Sequence, residues 1–241
     1  SNVLEIGPGL GALTVHIAGI TKKVTAVEKD SRLISILTNE LETLKLGHVV
    51  ILNQDFLKTD IAPFAEHEKL IVIGNLPYNI SSQIMIQLVK ARNHIEKAFL
   101  MFQKELAQRI LAKPGGRENS RLSIVVQYAA RVSHFTDIGP NSFFPRPDVD
   151  SSILEFKFFQ DPDFDAKDEP VLFDVIKAAF SKRRKTLKNS FAGSQLGLDK
   201  KQITAVLENA GIDPQRRAET LTIEEYKTIA KAILRLPSFR S

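Results

Sequence analysis

The sequence predicts an α/β protein, a doubly wound and mostly parallel sheet followed by a small helical domain. Three observations carry that expectation. Up to residue 105, short β-rich apolar runs alternate with longer segments of helical period, the rhythm of strands joined by crossover helices. The first run empties into a turn holding three glycines, Gly7, Gly9 and Gly11. Beyond an acidic stretch at 160–170 that carries two prolines, only helical periodicity remains.

The elements follow in order. Residues 3–6, 24–27, 49–52, 70–74 and 98–102 are the first five strands, each short and mostly apolar, the first four rich in β-branched residues and the fifth carrying two phenylalanines. Leu33, Ile36, Leu37, Leu41 and Leu44 recur at three- and four-residue steps, the stripe of an amphipathic helix that starts near Asp30. Ile84, Leu88 and Ala91 repeat the pattern after Ser81 and Ser82, which are expected to cap it. The runs 122–135 and 151–158 read as two long strands, a hairpin closing one sheet edge, separated by a proline-rich stretch. Residues 160–169 read as a linker, and 171–180, 200–210 and 223–234 as helices. The expected domains are therefore 1–159 and 170–241.

Bulk properties narrow the chemistry. With 43% hydrophobic residues, the 241-residue chain can bury a core of this size. Its net charge of +5 favours an anionic partner. The chain has no cysteine, which rules out disulfides, thiolate zinc sites and a cysteine nucleophile together, and a reducing cytoplasm is the expected compartment. Methylation of a pyrimidine ring carbon through a covalent thiolate and zinc-dependent deamination fall with it. The five histidines, His16, His48, His67, His94 and His134, show no ligand spacing, so no metal is expected. No apolar run approaches the roughly 20 residues of a membrane helix, so a soluble protein is expected. The chain opens on a strand without an initiator Met, which predicts a trimmed amino terminus.

The glycine turn reads EIGPGLGALT, with Glu28 closing the second strand where an acid can grip a ribose. Gly7-x-Gly9-x-x-Ala12 fits a dinucleotide as well as S-adenosylmethionine, so the turn alone leaves both open. Glu5 tilts the balance, because a carboxylate there suits the cationic sulfonium and amino groups of S-adenosylmethionine and would be awkward beside a pyrophosphate. Asp55, in NQDF after the third strand, is a second acid at the carboxyl edge, able to accept from an adenine amino group or to serve as a helix cap.

The fourth strand ends in NLPYNISS. Pro77 removes a backbone donor and biases Leu76 toward an extended conformation, so carbonyl oxygens and the Asn75 side-chain oxygen can face outward as acceptors. An amino group on an aromatic base needs that arrangement, since two acceptors on its hydrogens localise its lone pair toward an electrophilic methyl group. Tyr78 adds a flat face for the base, worth about 1–3 kcal/mol of stacking.

EIGPGLGALT, Glu28, NQDF, NLPYNISS, FFPRPDVDSS and AFSKRRKTLKNSF together resemble the ribosomal RNA adenine dimethyltransferases, specifically the small-subunit enzymes, over nearly the whole chain. The resemblance implies a Rossmann-like class I S-adenosylmethionine-dependent fold. It implies cofactor contacts from Glu5, Gly7, Gly9, Gly11, Glu28, Lys29, Asp55, Phe56 and Asn75. The target adenine falls to Asn75, Leu76, Pro77 and Tyr78, with Phe143 on its other face and Phe144 as the near alternative. The implied partner is small-subunit ribosomal RNA in an assembling subunit, met by a monomer. Such enzymes also carry a Gln-Asn-Phe-Leu segment before the first strand, which this sequence does not contain.

Lys182, Arg183, Arg184, Lys185 and Lys188 are expected on one helical stretch whose Phe180, Leu187 and Phe191 pack inward, leaving a positive surface for RNA phosphates. Three alternatives remain at this point. They are a large-subunit adenine methyltransferase of the antibiotic-resistance type, a non-catalytic RNA-binding assembly or transcription factor, and a nicotinamide oxidoreductase.

Overall fold

The computed structural model describes residues 1–116, 118–143, 146, 149–160, 164–182 and 184–236. Seven strands form one sheet in the order β3-β2-β1-β4-β5-β7-β6. These are β1 (Asn2–Ile6), β2 (Lys23–Glu28), β3 (Val49–Asn53), β4 (Leu70–Asn75), β5 (Ile95–Gln103), β6 (Ala130–Ile138) and β7 (Ser151–Phe158). All five residues of β1 are buried, as expected for the central strand of a sheet covered on both faces. The pairings among β1 to β5 are parallel, whereas β7 runs antiparallel to β5 and β6 antiparallel to β7. The doubly wound sheet and its edge hairpin are thus present.

The topology fixes where a ligand belongs. β1 pairs with β2 on one side and with β4 on the other, so the strand order reverses there and a crevice opens beyond the carboxyl ends of β1 and β4. Gly74 faces Ile6 across that seam, and a Cβ on it would lie 3.1 Å from the Ile6 carbonyl oxygen. Only a glycine lets the two strands approach so closely.

The helices of the sheet unit differ from expectation in detail. α1 (Thr14–Ala18) follows the glycine turn, and α2 (Ser31–Thr43) is capped by Asp30, whose carboxylate accepts from the Arg32 amide. Of the leucine stripe, Leu37 and Leu41 are buried while Ile36 and Leu44 remain exposed. α3 (Ser81–Lys90) has no side-chain cap, because the Ser81 hydroxyl donates instead to the Tyr78 carbonyl at 3.1 Å. α4 (Lys104–Ile110) follows β5 directly.

The largest departure lies at 122–135. Residues Arg121–Ala129 form helix α5, and the chain turns into β6 only at Ala130. An apolar run rich in valine and isoleucine suits a buried helix and a buried strand equally, and periodicity cannot separate the two.

Contacts divide the chain into one unit of Ser1–Ala107 with Ala129–Gln160 and another of Gln108–Tyr128 with Asp161–Ser241. The second unit therefore takes in a segment that the sequence reading assigns to the sheet. It holds α6 (Glu169–Ala179), α7 (Leu187–Phe191), α8 (Lys200–Asn209) and α9 (Ile223–Leu234). Tyr128 of α5 meets the Phe173 ring edge-on at 5.7 Å and hydrogen-bonds Glu169, while Phe180 stacks on the buried Tyr226 at 6.3 Å. Capping boxes at Asp199 with Gln202 and at Thr222 with Glu225 start α8 and α9.

Candidate active site

The glycine turn is held from both ends. The Gly7 amide donates to the Val27 carbonyl at 3.0 Å, and the Glu28 carboxylate accepts from the Gly9 amide at 3.2 Å and from the Asp30 amide at 2.8 Å. Each Glu28 oxygen thus keeps a lone pair for a further donor while the carboxylate fixes the turn. Gly7 and Gly9 have φ of +65° and +58°, and a Cβ on either would meet nothing within 4 Å, so both line open space. Gly11 differs. At φ +87°, a Cβ there would run into Leu37 Cδ1, so the fully buried Leu37 would have to shift against its packing. Gly11→Ala is expected to cost about 1–3 kcal/mol in a urea melt through left-handed strain and overpacking. Gly9→Ala, with free space ahead of it, should cost the backbone strain alone.

Glu5 is 2% exposed, and among the described residues its Oε2 has no hydrogen-bond partner. Burial raises its carboxyl from 4.5 to about 7. The nearby Thr14 hydroxyl opposes that rise, although it too lacks a partner of good hydrogen-bond geometry. An unpartnered buried carboxylate is costly, and a cationic ligand group would relieve the cost. With the open glycines and the spare lone pairs of Glu28, the donor set fits S-adenosylmethionine.

Lys29 and Asp55 come together as an ion pair at 2.9 Å, and Lys29 holds the Asp55 carboxyl below its usual range. The other Asp55 oxygen accepts from the Leu57 amide and caps the 3-10 turn Phe56–Lys58, the structural role left open for it. Phe56 itself is buried.

At the end of β4 the acceptors stand free. Asn75 is exposed, and among the described residues its side chain and the Leu76 carbonyl engage no donor. Leu76 anchors the segment by burying its own side chain, while Pro77 and Tyr78 stay exposed. The Tyr78 hydroxyl is hydrogen-bonded to the Ser151 hydroxyl at 3.2 Å. Ser151 is fully buried at the start of β7, opposite Gln103 at the carboxyl end of β5. Phe143 follows the 3-10 turn Pro140–Ser142 and is half-buried at this same edge of the sheet. Phe144 lies outside the described residues.

Sequence reasoning misses Ser151, which sits 73 residues from Tyr78 in an ordinary strand pattern. It misses Lys104 as well, whose ammonium lies 3.5 Å from both Asp137 and Asp150 and ties the end of β6 to the entry of β7. Tyr78→Phe and Ser151→Ala remove the same hydrogen bond, worth about 1 kcal/mol, so each should slow turnover about fivefold. The double variant should be no slower than either single one, a non-additivity that general loosening would not produce.

The basic stretch is not one helix. α6 ends at Ala179 and α7 starts at Leu187, with Arg184 between them at φ +67°. Lys182 turns its ammonium onto the Asn189 and Ala192 carbonyls at 3.4 and 3.0 Å, neutralising the carboxyl end of α7. Arg184 and Lys185 are exposed, Lys188 is half-buried, and Arg183 lies outside the described residues.

The profile of the ribosomal RNA adenine dimethylases matches residues 1–233. A relative from Desulforapulum autotrophicum, named ribosomal RNA small subunit methyltransferase A, is 52% identical over 96% of this chain and 81% of its own length. Among solved structures, a dimethyladenosine transferase from Plasmodium falciparum superposes with a TM-score of 0.78 at 29% identity, covering 94% of this chain and 87% of its own. The 23S rRNA methyltransferase ErmE reaches 0.68 at 24% identity over 96% and 90%, a likeness of fold alone. The chain belongs to the ribosomal RNA adenine dimethylase family, on the Rossmann-like sheet of the class I S-adenosylmethionine-dependent methyltransferases.

Proposed function

We propose that this protein places two methyl groups, in succession, on the exocyclic amino group of adenine in small-subunit ribosomal RNA. The observation that carries this reading is the pair of unengaged acceptors, Asn75 side chain and Leu76 carbonyl, at the crevice that Glu5 also borders. Bound S-adenosylmethionine supplies an electrophilic methyl group on a cationic sulfur. Everything else falls to the chain.

Glu5 balances the positive charge, Glu28 receives ribose hydroxyls, and Asp55 accepts from the cofactor's adenine amino group through the lone pairs its cap and ion pair leave free. Lys29 keeps Asp55 ionised, and Phe56 backs it from the core. At the target base, Asn75 and the Leu76 carbonyl take the two amino hydrogens, which withdraws the lone pair from the ring and aims it in line. Tyr78 and Phe143 clamp the ring from its two faces. After the first transfer only one N–H remains, so one acceptor then faces a methyl group. No general base is needed to raise nucleophilicity, because the proton leaves an amine already alkylated.

The 170–241 segment, with Arg183, Arg184, Lys185 and Lys188, is assigned to gripping RNA as a monomer on an assembling subunit in the cytoplasm, while Lys182 stays on the carbonyls that end α7. Among the described residues, no helix is long and apolar enough to cross a membrane. The name of the relative at 52% identity favours small-subunit over large-subunit RNA. The test is transfer of radiolabelled methyl to immature small subunits, followed by nucleoside analysis. Dimethyladenosine in the small-subunit RNA is expected. Label in large-subunit RNA alone, or none at all, would overturn the reading in favour of the resistance-type or non-catalytic alternative.

A further inference from the structure

The face of the edge hairpin that points away from the core carries a pattern that methyl transfer does not use. Lys97 of β5 lies directly opposite Lys157 of β7, and Lys157 directly opposite Arg131 of β6, so three cations form one row across three strands. Like charges placed opposite each other weaken a sheet, and a row of three has to be offset elsewhere or serve a purpose. The adjacent row is Phe99, Glu155 and Ser133. Glu155 is the one acid in these two rows, and it is already engaged by the Ser133 hydroxyl at 3.2 Å and by Lys157 at 3.5 Å. Glu96, exposed beside Lys97, stands in no cross-strand row, because the β4–β5 ladder slips between Ile95 and Lys97 and leaves it unpaired.

Beside the cations stands an exposed aromatic. The β6–β7 ladder slips between His134 and Thr136, which leaves Phe135 without a partner in the register and 61% exposed. A bulge of this kind re-aims a side chain. The Phe135 ring meets Phe99 edge-on at 5.4 Å, which places it on the cationic face and props it upright. A rigid aromatic beside a row of cations, on an open sheet face, is the arrangement that stacks an unpaired base while neutralising its flanking phosphates.

We infer that the outer face of β5, β7 and β6 is a second RNA-contact surface, with Lys97, Arg131 and Lys157 on phosphates and Phe135 under an unpaired base. It rests on the reading that the substrate is ribosomal RNA. The row sits six residues before Gln103, about 20 Å down the strand from the carboxyl edge, so it holds RNA remote from the target adenine.

The test measures binding of full-length small-subunit ribosomal RNA transcript to the whole chain between about 50 and 200 mM KCl. Replacing Lys97, Arg131 and Lys157 together by Gln should make the slope of log affinity against log salt shallower by about 2. Phe135→Ala should weaken binding about five- to tenfold and leave the slope unchanged. Both variants should raise KM for the transcript and leave kcat as it is. Arg131→Gln alone, with a slope change of about 0.7, serves if the triple variant melts early. An unchanged slope in both charge variants overturns the proposal. So does an unchanged slope joined to weaker association with protein-bearing subunits, which would make this a protein-docking face. Binding is read without methyl transfer, so failure of the unaltered chain to methylate would count against the proposed reaction and leave the slope to decide this face.

Discussion

Asn75→Ala should lower kcat about 100- to 1,000-fold, the usual effect of removing one preorganised partner of the reacting group, while RNA affinity stays within about threefold. Asn75 is exposed at the end of β4 and its side chain bonds to none of the described residues, so it carries little of the fold's stability. Stability should change by no more than about 0.5 kcal/mol. The Leu76 carbonyl remains in the variant. One acceptor still binds one amino hydrogen, but the lone pair is no longer held from both sides, and the loss therefore appears in kcat. Single-turnover methylation at saturating RNA and cofactor measures it directly. A rate within fivefold of the unaltered chain would remove the amine-orienting role from Asn75 and leave the Leu76 carbonyl and the stacking rings to account for catalysis.

The same segment shows what a sequence can and cannot disclose. The first five strands are recoverable because each is a short, mostly apolar run bounded by turn residues, and their parallel run follows from the crossover segments between them. The positions of Glu5, Glu28 and Asn75 at strand ends follow with them. The helix α5 is not recoverable, since its apolar run is compatible with both kinds of element and only the packing of Tyr128 on Phe173 decides. The break in the basic stretch is equally hidden. Arg184 adopts a left-handed conformation without a glycine or proline nearby to announce it, and Lys182 is drawn off to helix carbonyls instead of joining a positive helix face. The hydrogen bond from Tyr78 to Ser151 and the clamp of Lys104 on Asp137 and Asp150 depend on strand register between distant segments. Local pattern carries no trace of such partners.

Glu5 makes both stability and cofactor binding depend on pH, in opposite directions. Its carboxyl is raised by burial from 4.5 to about 7, so between those values the folded chain holds a proton that the unfolded chain has released. Stability from this group is complete below about pH 4.5 and is lost as pH rises through about 7, by up to about 3 kcal/mol. A bound sulfonium and ammonium reverse the preference, because they favour the ionised carboxylate. Only a minor fraction of Glu5 is ionised at pH 6, against most of it at pH 8, so S-adenosylmethionine should bind about tenfold more tightly at the higher pH. Glu5→Gln reproduces the protonated form permanently. Its thermal midpoint should lose the decline between pH 5 and 8 expected of the unaltered chain, and its cofactor affinity should be weak at both pH values. Calorimetric titrations of both proteins at pH 6 and 8 decide the matter. If the variant kept the tenfold gain, the proton would reside on another group and the buried carboxylate would have no part in holding the cofactor's charge.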